Sequence, residues 1–279
     1  MAENMHGKTI VVTGGTSGIG RATVLALAAM SAEVIFSGRN AAGAEEVIAG
    51  ARAKNTDAKV SFLPVDFASL KSVADFATAL RNKTSKIDVL INNAGASPAK
   101  FERSADGIEM TLAVNHLAPF LLTHLLLPAI AVGGRIVNVA SKMHSWRSFN
   151  FADPQLTKKW SGTTAYSQSK LANVMFTYQL AEKLAPRKIT VNCLHPGVIA
   201  TEITRDMPSV VQFIARLIFK SPEKGAETSV YLATAAEVAG VTGKYFDNKK
   251  AVASSAESQD PTKQQQLWKL TEGLLQGFL

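Results

Sequence analysis

The sequence predicts an α/β fold: a doubly wound parallel sheet of about seven strands with helices on both faces. Three observations predict it. Short apolar runs of strand type alternate with helical patterns along the chain. The first run passes directly into a glycine cluster and then a helix. No repeat, low-complexity tract or linker breaks the alternation, so residues 1–279 are read as one domain. The strand-like runs are 8–13, 33–37, 60–65, 88–91, 135–139, 189–194 and 243–246. The helical patterns include 19–30, 41–54, 70–83, 165–184 and 222–234. Right-handed crossovers between such units give a sheet covered on both sides.

Taken in order, each strand ends in residues suited to holding a ligand, and open α/β sheets bind ligands at the carboxyl ends of their strands. The first runs into Thr13-Gly14-Gly15-Thr16-Ser17-Gly18-Ile19-Gly20. Glycines there allow a tight turn and let backbone N–H groups approach a pyrophosphate at a helix N-terminus. The second ends in Ser37-Gly38-Arg39-Asn40, with no acid to bind the ribose 2′-hydroxyl of NAD. Arg39 would instead present a planar cation to the 2′-phosphate of NADP, with Ser37 adding a hydrogen bond. The third and fourth end in Asp66-Phe67 and Asn92-Asn93-Ala94-Gly95. Residues 110–134 then contain no Asp, Glu, Lys or Arg, a length that could span a bilayer. Asn115, His116, Pro119, His124 and Pro128 within it favour a helix buried in a soluble core or at a subunit interface.

The fifth strand leads to Ser141 and a long irregular stretch, 142–164, before Tyr166-Ser-Gln-Ser-Lys170 in a helical pattern. Four residues apart on a helix, Tyr166 and Lys170 share one face. A tyrosine hydroxyl normally titrates at about 10, and a neighbouring ammonium favours its phenolate. The sixth strand is followed by Pro196-Gly197-Val198 and a second irregular stretch, 199–221. The apolar run 207–214 in that stretch is either a lid over an apolar substrate or a peripheral core helix. Tyr245 and Lys249 repeat the Tyr-x3-Lys spacing, but they cross the turn signal Asp247-Asn248 and so share no helical face.

The Gly-x3-Gly-x-Gly spacing, Asn92–Gly95, Asn115, Ser141, Tyr166-x3-Lys170 and Pro196-Gly197, in this order, resemble the short-chain dehydrogenase/reductase family over nearly the whole chain. The stretches 165–197 and 221–246 look most like its retinol-dehydrogenase-like branch. The resemblance implies a Rossmann-type fold and an NADP(H)-dependent oxidoreductase acting on an apolar carbonyl or alcohol that is retinoid-, steroid- or long-chain aldehyde/ketone-like. It implies a catalytic set of Asn115, Ser141, Tyr166 and Lys170. Tyr166 would be the general acid/base, Ser141 would polarise the substrate oxygen, and Asn115 would hold a water leading from Lys170 to solvent. It implies cofactor contacts at Gly14, Thr16, Ser17, Gly18, Ile19, Gly20, Ser37, Arg39, Asp66, Phe67, Asn92, Ala94, Gly95, Tyr166, Lys170, Pro196, Gly197, Val198 and Thr201. Asp66 and Phe67 would flank the adenine. Asn92, Ala94 and Gly95 would line the adenosine side and brace the sheet. Residues 196–198 and Thr201 would meet the carboxamide. The 24 residues 142–165 exceed the family minimum, and Trp146, Phe149, Phe151 and Trp160 in them either line an apolar cavity or pack the insert on itself. The C-terminal stretch 267–279 could block or replace the helix contacts through which family members form dimers or tetramers.

Composition narrows the remaining classes. Hydrophobic residues are 47% and charged residues 19%, an ordinary globular balance that excludes disorder and collagen-like structure. The single Cys193 excludes an internal disulfide and a cysteine metal site, and no metal is expected. The net charge of +8 is scattered without basic runs, so no nucleic-acid partner is expected. The N-terminus carries no signal-peptide pattern and none of the hydrophobic anchor common in animal members of the branch, so a cytoplasmic protein without a transmembrane segment is expected. Ser167-x2-Lys170 lacks the companion motifs of a penicillin-binding-type hydrolase, and Gly7-Lys8-Thr9 lacks the first glycine of a P-loop. The principal alternative is a non-catalytic NADP(H)-binding regulatory protein on the same fold.

Overall fold

The computed structural model describes residues 4–197 and 221–279. Eight strands form one sheet in the order β3-β2-β1-β4-β5-β6-β7-β8. They are β1 (Thr9–Val12), β2 (Glu33–Gly38), β3 (Val60–Pro64), β4 (Ile87–Asn92), β5 (Ile130–Val139), β6 (Thr190–His195), β7 (Lys244–Asp247) and β8 (Lys250–Val252). The first seven pair in parallel, as expected. The strand order reverses between β1 and β4, and such a switch point opens a crevice at the carboxyl ends of the strands.

The strands are apolar in both directions because helices cover both faces. On one face α1 (Gly18–Ala29), α2 (Ala41–Lys54) and α7 (Pro222–Thr234) pack on Ile10, Val12, Val34 and Phe36. On the other, Val11, Ile35, Leu90 and Ile136 meet α3 (Leu70–Lys83), α5 (Ala118–Leu126), α6 (Gly162–Leu184) and α8 (Pro261–Leu274). Burying one such large aliphatic or aromatic side chain contributes roughly 1.5–3 kcal/mol, so the two clusters fix the layering.

Three details differ from the expectation. The uncharged stretch 110–134 is not one helix: α4 (Met110–Leu112) passes through a π-turn (Ala113–Leu117) into α5, and Pro128 ends the helix in a 3-10 turn. Its last residues already belong to β5, which bends at Gly133 (φ +72°). Of the helical run, 78% of its most apolar window is buried inside the protein, which makes it a core helix. Finally, β8 is an unanticipated antiparallel strand. Asn248 (φ 49°) and Lys249 (φ 63°) both take left-handed conformations, the two-residue turn that closes a hairpin.

Candidate active site

The loop after β1 is locked to the loop after β4. Thr13 Oγ1 accepts from the backbone N–H groups of Asn93 (2.9 Å) and Ala94 (3.0 Å). In return, Asn93 Nδ2 donates to the carbonyls of Thr13 (2.7 Å) and Gly14 (3.2 Å). Gly14 has φ +66°, and a Cβ on Gly20 would stand 2.0 Å from the Gly14 carbonyl, so the two loops close only with glycine there. Thr13 and Asn93 are positioning residues absent from the sequence-derived site. Asn93 lies inside the motif that pointed to it, but nothing local tells which of two adjacent asparagines faces the glycine loop.

The N-terminus of α1 differs from those of its neighbours. Asn40, Ser69, Ser161, Ser221 and Asp260 cap α2, α3, α6, α7 and α8 through their side chains. Ser17, the N-cap of α1, makes no such bond. The first-turn N–H groups of Gly18, Ile19 and Gly20 therefore lack a side-chain cap at the positive end of a helix dipole, a cradle that fits a diphosphate. Thr16 seals its side: a Cβ on Gly38 would lie 2.9 Å from Thr16 Oγ1.

At the end of β2, Arg39 is exposed, with Nη1 3.9 Å from the half-exposed carboxylate of Asp66. Ser37 departs from the expectation. The strand alternation turns it inward, where it is wholly buried and its hydroxyl finds no partner among the described residues. It reaches no 2′-phosphate in this arrangement. Phe67 is likewise a core residue, its ring 6.5 Å from Phe76, so position 67 can meet an adenine only through its backbone. Asp66 Oδ1 accepts from Ala68 N–H (3.0 Å). Asn92 commits both amide hydrogens to Thr123 Oγ1 (3.0 Å) and Asn138 Oδ1 (2.8 Å), bracing β4 to β5 and α5. Pro196 and Gly197 (φ +94°) follow β6 at the same end of the sheet. Val198, Thr201 and the expected covering segment 199–220 lie outside the described residues, whereas Ser221 is the cap of α7.

Tyr166 and Lys170 lie on one face of α6, with Lys170 Nζ 5.4 Å from the centre of the Tyr166 ring. Tyr166 is half-buried and Lys170 is buried. The Lys170 ammonium donates to the Val139 carbonyl (3.0 Å) at the end of β5. Burial disfavours its charge and brings its pKa down to about 8. Ser141 Oγ accepts from Met143 N–H (3.2 Å), which leaves its own proton to donate elsewhere. Gly95 leaves room for the cluster, since a Cβ there would lie 3.3 Å from Asn115 Oδ1 and 3.7 Å from Lys170 Nζ.

Asn115 sits in the π-turn, a feature hidden from sequence periodicity. Its Oδ1 accepts from Ala96 N–H (2.6 Å), and its Nδ2 donates to the Ala96 carbonyl (3.0 Å) and to Ser169 Oγ (3.0 Å). Ser169 in turn donates to the Tyr166 carbonyl (2.8 Å). The amide thus ties the loop after β4 to the helix that carries Tyr166, and both its hydrogens are engaged.

The aromatic residues of the insert do not form a single wall. Phe149 is buried and packs on Phe151, with ring centres 4.9 Å apart. The Trp160 indole donates to the buried Glu109 carboxylate (3.1 Å) and meets Phe101 edge-on. Trp146 is exposed. Elsewhere, Lys249 pairs with Glu227 (2.9 Å) and Tyr245 is buried, so the second Tyr-x3-Lys makes no site. Burial pushes the Cys193 thiol up to about 12, which leaves it unreactive. Among the described residues no His, Cys, Asp and Glu cluster is arranged to hold a metal ion.

Residues 8–211 match the short chain dehydrogenase family. Retinol dehydrogenase 14 of Mus musculus is 38% identical over 286 residues, which cover 96% of this chain and 86% of that protein. Retinol dehydrogenase 13 of Homo sapiens is 39% identical over 273 residues, covering 94% and 82%. Among solved structures, an uncharacterised protein of Mycobacterium paratuberculosis superposes with TM-score 0.79 at 29% identity, over 98% of this chain and 95% of that one. A blue fluorescent protein from a metagenomic library, solved in complex with NADPH, gives TM-score 0.70 at 28% identity over 88% and 97%. With its parallel sheet, its glycine turn and Tyr166 and Lys170 on one helical face, the chain belongs to the short-chain dehydrogenase/reductase family of oxidoreductases, in the retinol-dehydrogenase-like branch.

Proposed function

We propose that the protein is an NADP(H)-dependent oxidoreductase that transfers a hydride between the nicotinamide and an apolar carbonyl or alcohol, with Tyr166 as general acid/base. The observation that carries this reading is the buried Lys170 ammonium 5.4 Å from the Tyr166 ring on one helical face. The uncapped N-terminus of α1 fits the diphosphate; Arg39 is exposed, its contact with Asp66 is long at 3.9 Å, and residues 37–40 include no acid to hold a ribose 2′-hydroxyl, which together favour a 2′-phosphate. The NADPH complex of a structural relative and the retinol dehydrogenases among sequence relatives support the same cofactor and an apolar, retinoid-, steroid- or long-chain substrate.

When bound, a nicotinamide would supply the hydride in reduction and accept it in oxidation. In reduction, Tyr166 Oη gives its proton to the substrate oxygen, and Ser141 O–H donates a hydrogen bond to that same atom as negative charge develops on it. The Lys170 cation stabilises the phenolate left behind and resupplies the proton. Both Asn115 amide hydrogens are engaged while Oδ1 keeps a second lone pair, so a water linking Lys170 to solvent would donate to that oxygen or to a backbone carbonyl of the π-turn.

The test is turnover and binding with both cofactors across a panel of apolar aldehydes and ketones. NADPH should bind more tightly than NADH, and Arg39→Ala should narrow the gap by about 10- to 100-fold, the worth of a charge-assisted contact. Tyr166→Phe should reduce turnover by about 10²–10⁴-fold with cofactor affinity nearly unchanged. Equal affinities would reject the NADP assignment. Full activity in Tyr166→Phe would reject the proton donor.

A further inference from the structure

The turn that carries Ser141 is held from outside by a buried imidazole that the sequence did not single out. His144 Nδ1 lies 2.7 Å from the Ser141 carbonyl, and its Nε2 lies 3.1 Å from the backbone N of Ser255. A backbone N–H can only donate, so Nε2 is the acceptor and Nδ1 carries the proton given to Ser141. The ring is buried and packs on Tyr245 at 4.7 Å. Burial holds its pKa below the usual histidine value, which keeps it neutral in this bridging tautomer. The far anchor is itself fixed to α6, since Tyr178 Oη and Ser254 Oγ are 2.6 Å apart, Ser254 Oγ and Ser258 Oγ are 2.7 Å apart, and Ser258 Oγ donates to the Ser255 carbonyl (2.7 Å). A second strut runs beside it, where Lys142 N–H donates to His195 Nδ1 (3.2 Å).

We propose that His144 is a positioning residue for the reaction, holding the Ser141 hydroxyl at the substrate oxygen by donating its Nδ1–H to the Ser141 carbonyl, while the Ser255 N–H on Nε2 fixes the ring in that tautomer. The proposal rests on the reading of Ser141 as the hydrogen-bond donor. Because Ser141 Oγ is bonded within its own turn, to Met143 N–H, displacing the Ser141 carbonyl re-aims the hydroxyl. The bridge joins residues 111 apart in the chain.

The experiment compares His144→Asn, His144→Gln and His144→Phe, each alone and combined with Ser141→Ala. Asn keeps an amide donor at the Nδ1 position, Gln keeps only the far acceptor, and Phe keeps the ring against Tyr245 but neither bond. His144→Asn should stay within about 3-fold of the parent kcat. Gln and Phe should lose about 10- to 100-fold, the scale of a sub-ångström to ångström misplacement, with the KM for NADPH unchanged. In the Ser141→Ala background, His144→Phe should add no further loss, because its effect passes through that hydroxyl. Equal fold-losses in both backgrounds, or Asn falling as far as Phe, would overturn the bridge. Should the Phe variant fail to fold, the contrast of Asn with Gln decides alone. Full turnover in Ser141→Ala itself would instead refute the reading of Ser141 on which the bridge depends.

Discussion

Lys170 is the side chain at which catalysis and stability conflict most directly. Its ammonium is buried, with the Val139 carbonyl as its hydrogen-bond acceptor, and burial lowers its pKa from 10.5 to about 8. The folded protein therefore binds this proton less well than the unfolded chain does, so stability rises with pH between about 8 and 10.5. At neutral pH the buried charge costs about 3 kcal/mol, partly offset by its hydrogen bond. Lys170→Met should raise the stability of the cofactor-free protein by about 1–2 kcal/mol at pH 7 while abolishing turnover. That advantage should vanish above about pH 10.5, where neither state carries the charge. Urea unfolding at the two pH values checks it, and a destabilised Lys170→Met protein at pH 7 would contradict it. Ser37 and Phe67 show the opposite limit of residue-level reading. Both stand at strand ends where ligands are expected, yet side-chain direction sends one into the sheet and the other into the core.

Helix α6 is aimed by what precedes it as much as by its own residues. Trp160 stands two residues before its first turn, and its indole bonds Glu109 Oε1 (3.1 Å) while Oε2 of the same carboxylate caps α4 through Leu112 N–H (2.7 Å). One buried carboxylate thus ties the insert to the π-turn helix of Asn115. Trp160→Phe removes the indole donor and leaves a buried carboxylate oxygen unpaired, a loss of about 1–3 kcal/mol. The expected kinetic result is a lower kcat with unchanged NADPH affinity, since the latch joins the insert to the helix of Asn115; weakened cofactor binding in stopped-flow titration would argue against it. Elements also set what the sequence conceals. The π-turn leaves the apolar pattern of 110–126 unbroken, so periodicity alone reads an ordinary helix there.

Across the whole molecule, α8 covers the helical layer that α5 and α6 form. Trp268 meets Phe120 (4.7 Å) and Phe176 (6.0 Å), and His116 Nε2 lies 2.9 Å from Thr271 Oγ1. Complete burial lowers the His116 pKa from 6.5 to about 4. Below pH 6.5 the unfolded chain takes up a proton that the folded protein refuses. Stability should therefore fall by about 3 kcal/mol as pH drops from about 6.5 to about 4, and His116→Gln should flatten that slope. Thermal melts across this range check it, and an unchanged slope in the variant would assign the acid sensitivity to other groups. The alternation of strands and helices, the seven parallel strands and the glycine turn were legible in the order of amino acids. So was the placement of Tyr166 and Lys170 on one face. These follow from short-range periodicity and spacing, which any chain segment carries within itself. Packing, in contrast, set the inward direction of Ser37 and Phe67, the choice of Asn93 over Asn92 to lock the glycine loop, and the meeting of His144 with Ser255. Those contacts join residues far apart in the chain or depend on which face a neighbour covers, and burial is a property of the packed whole.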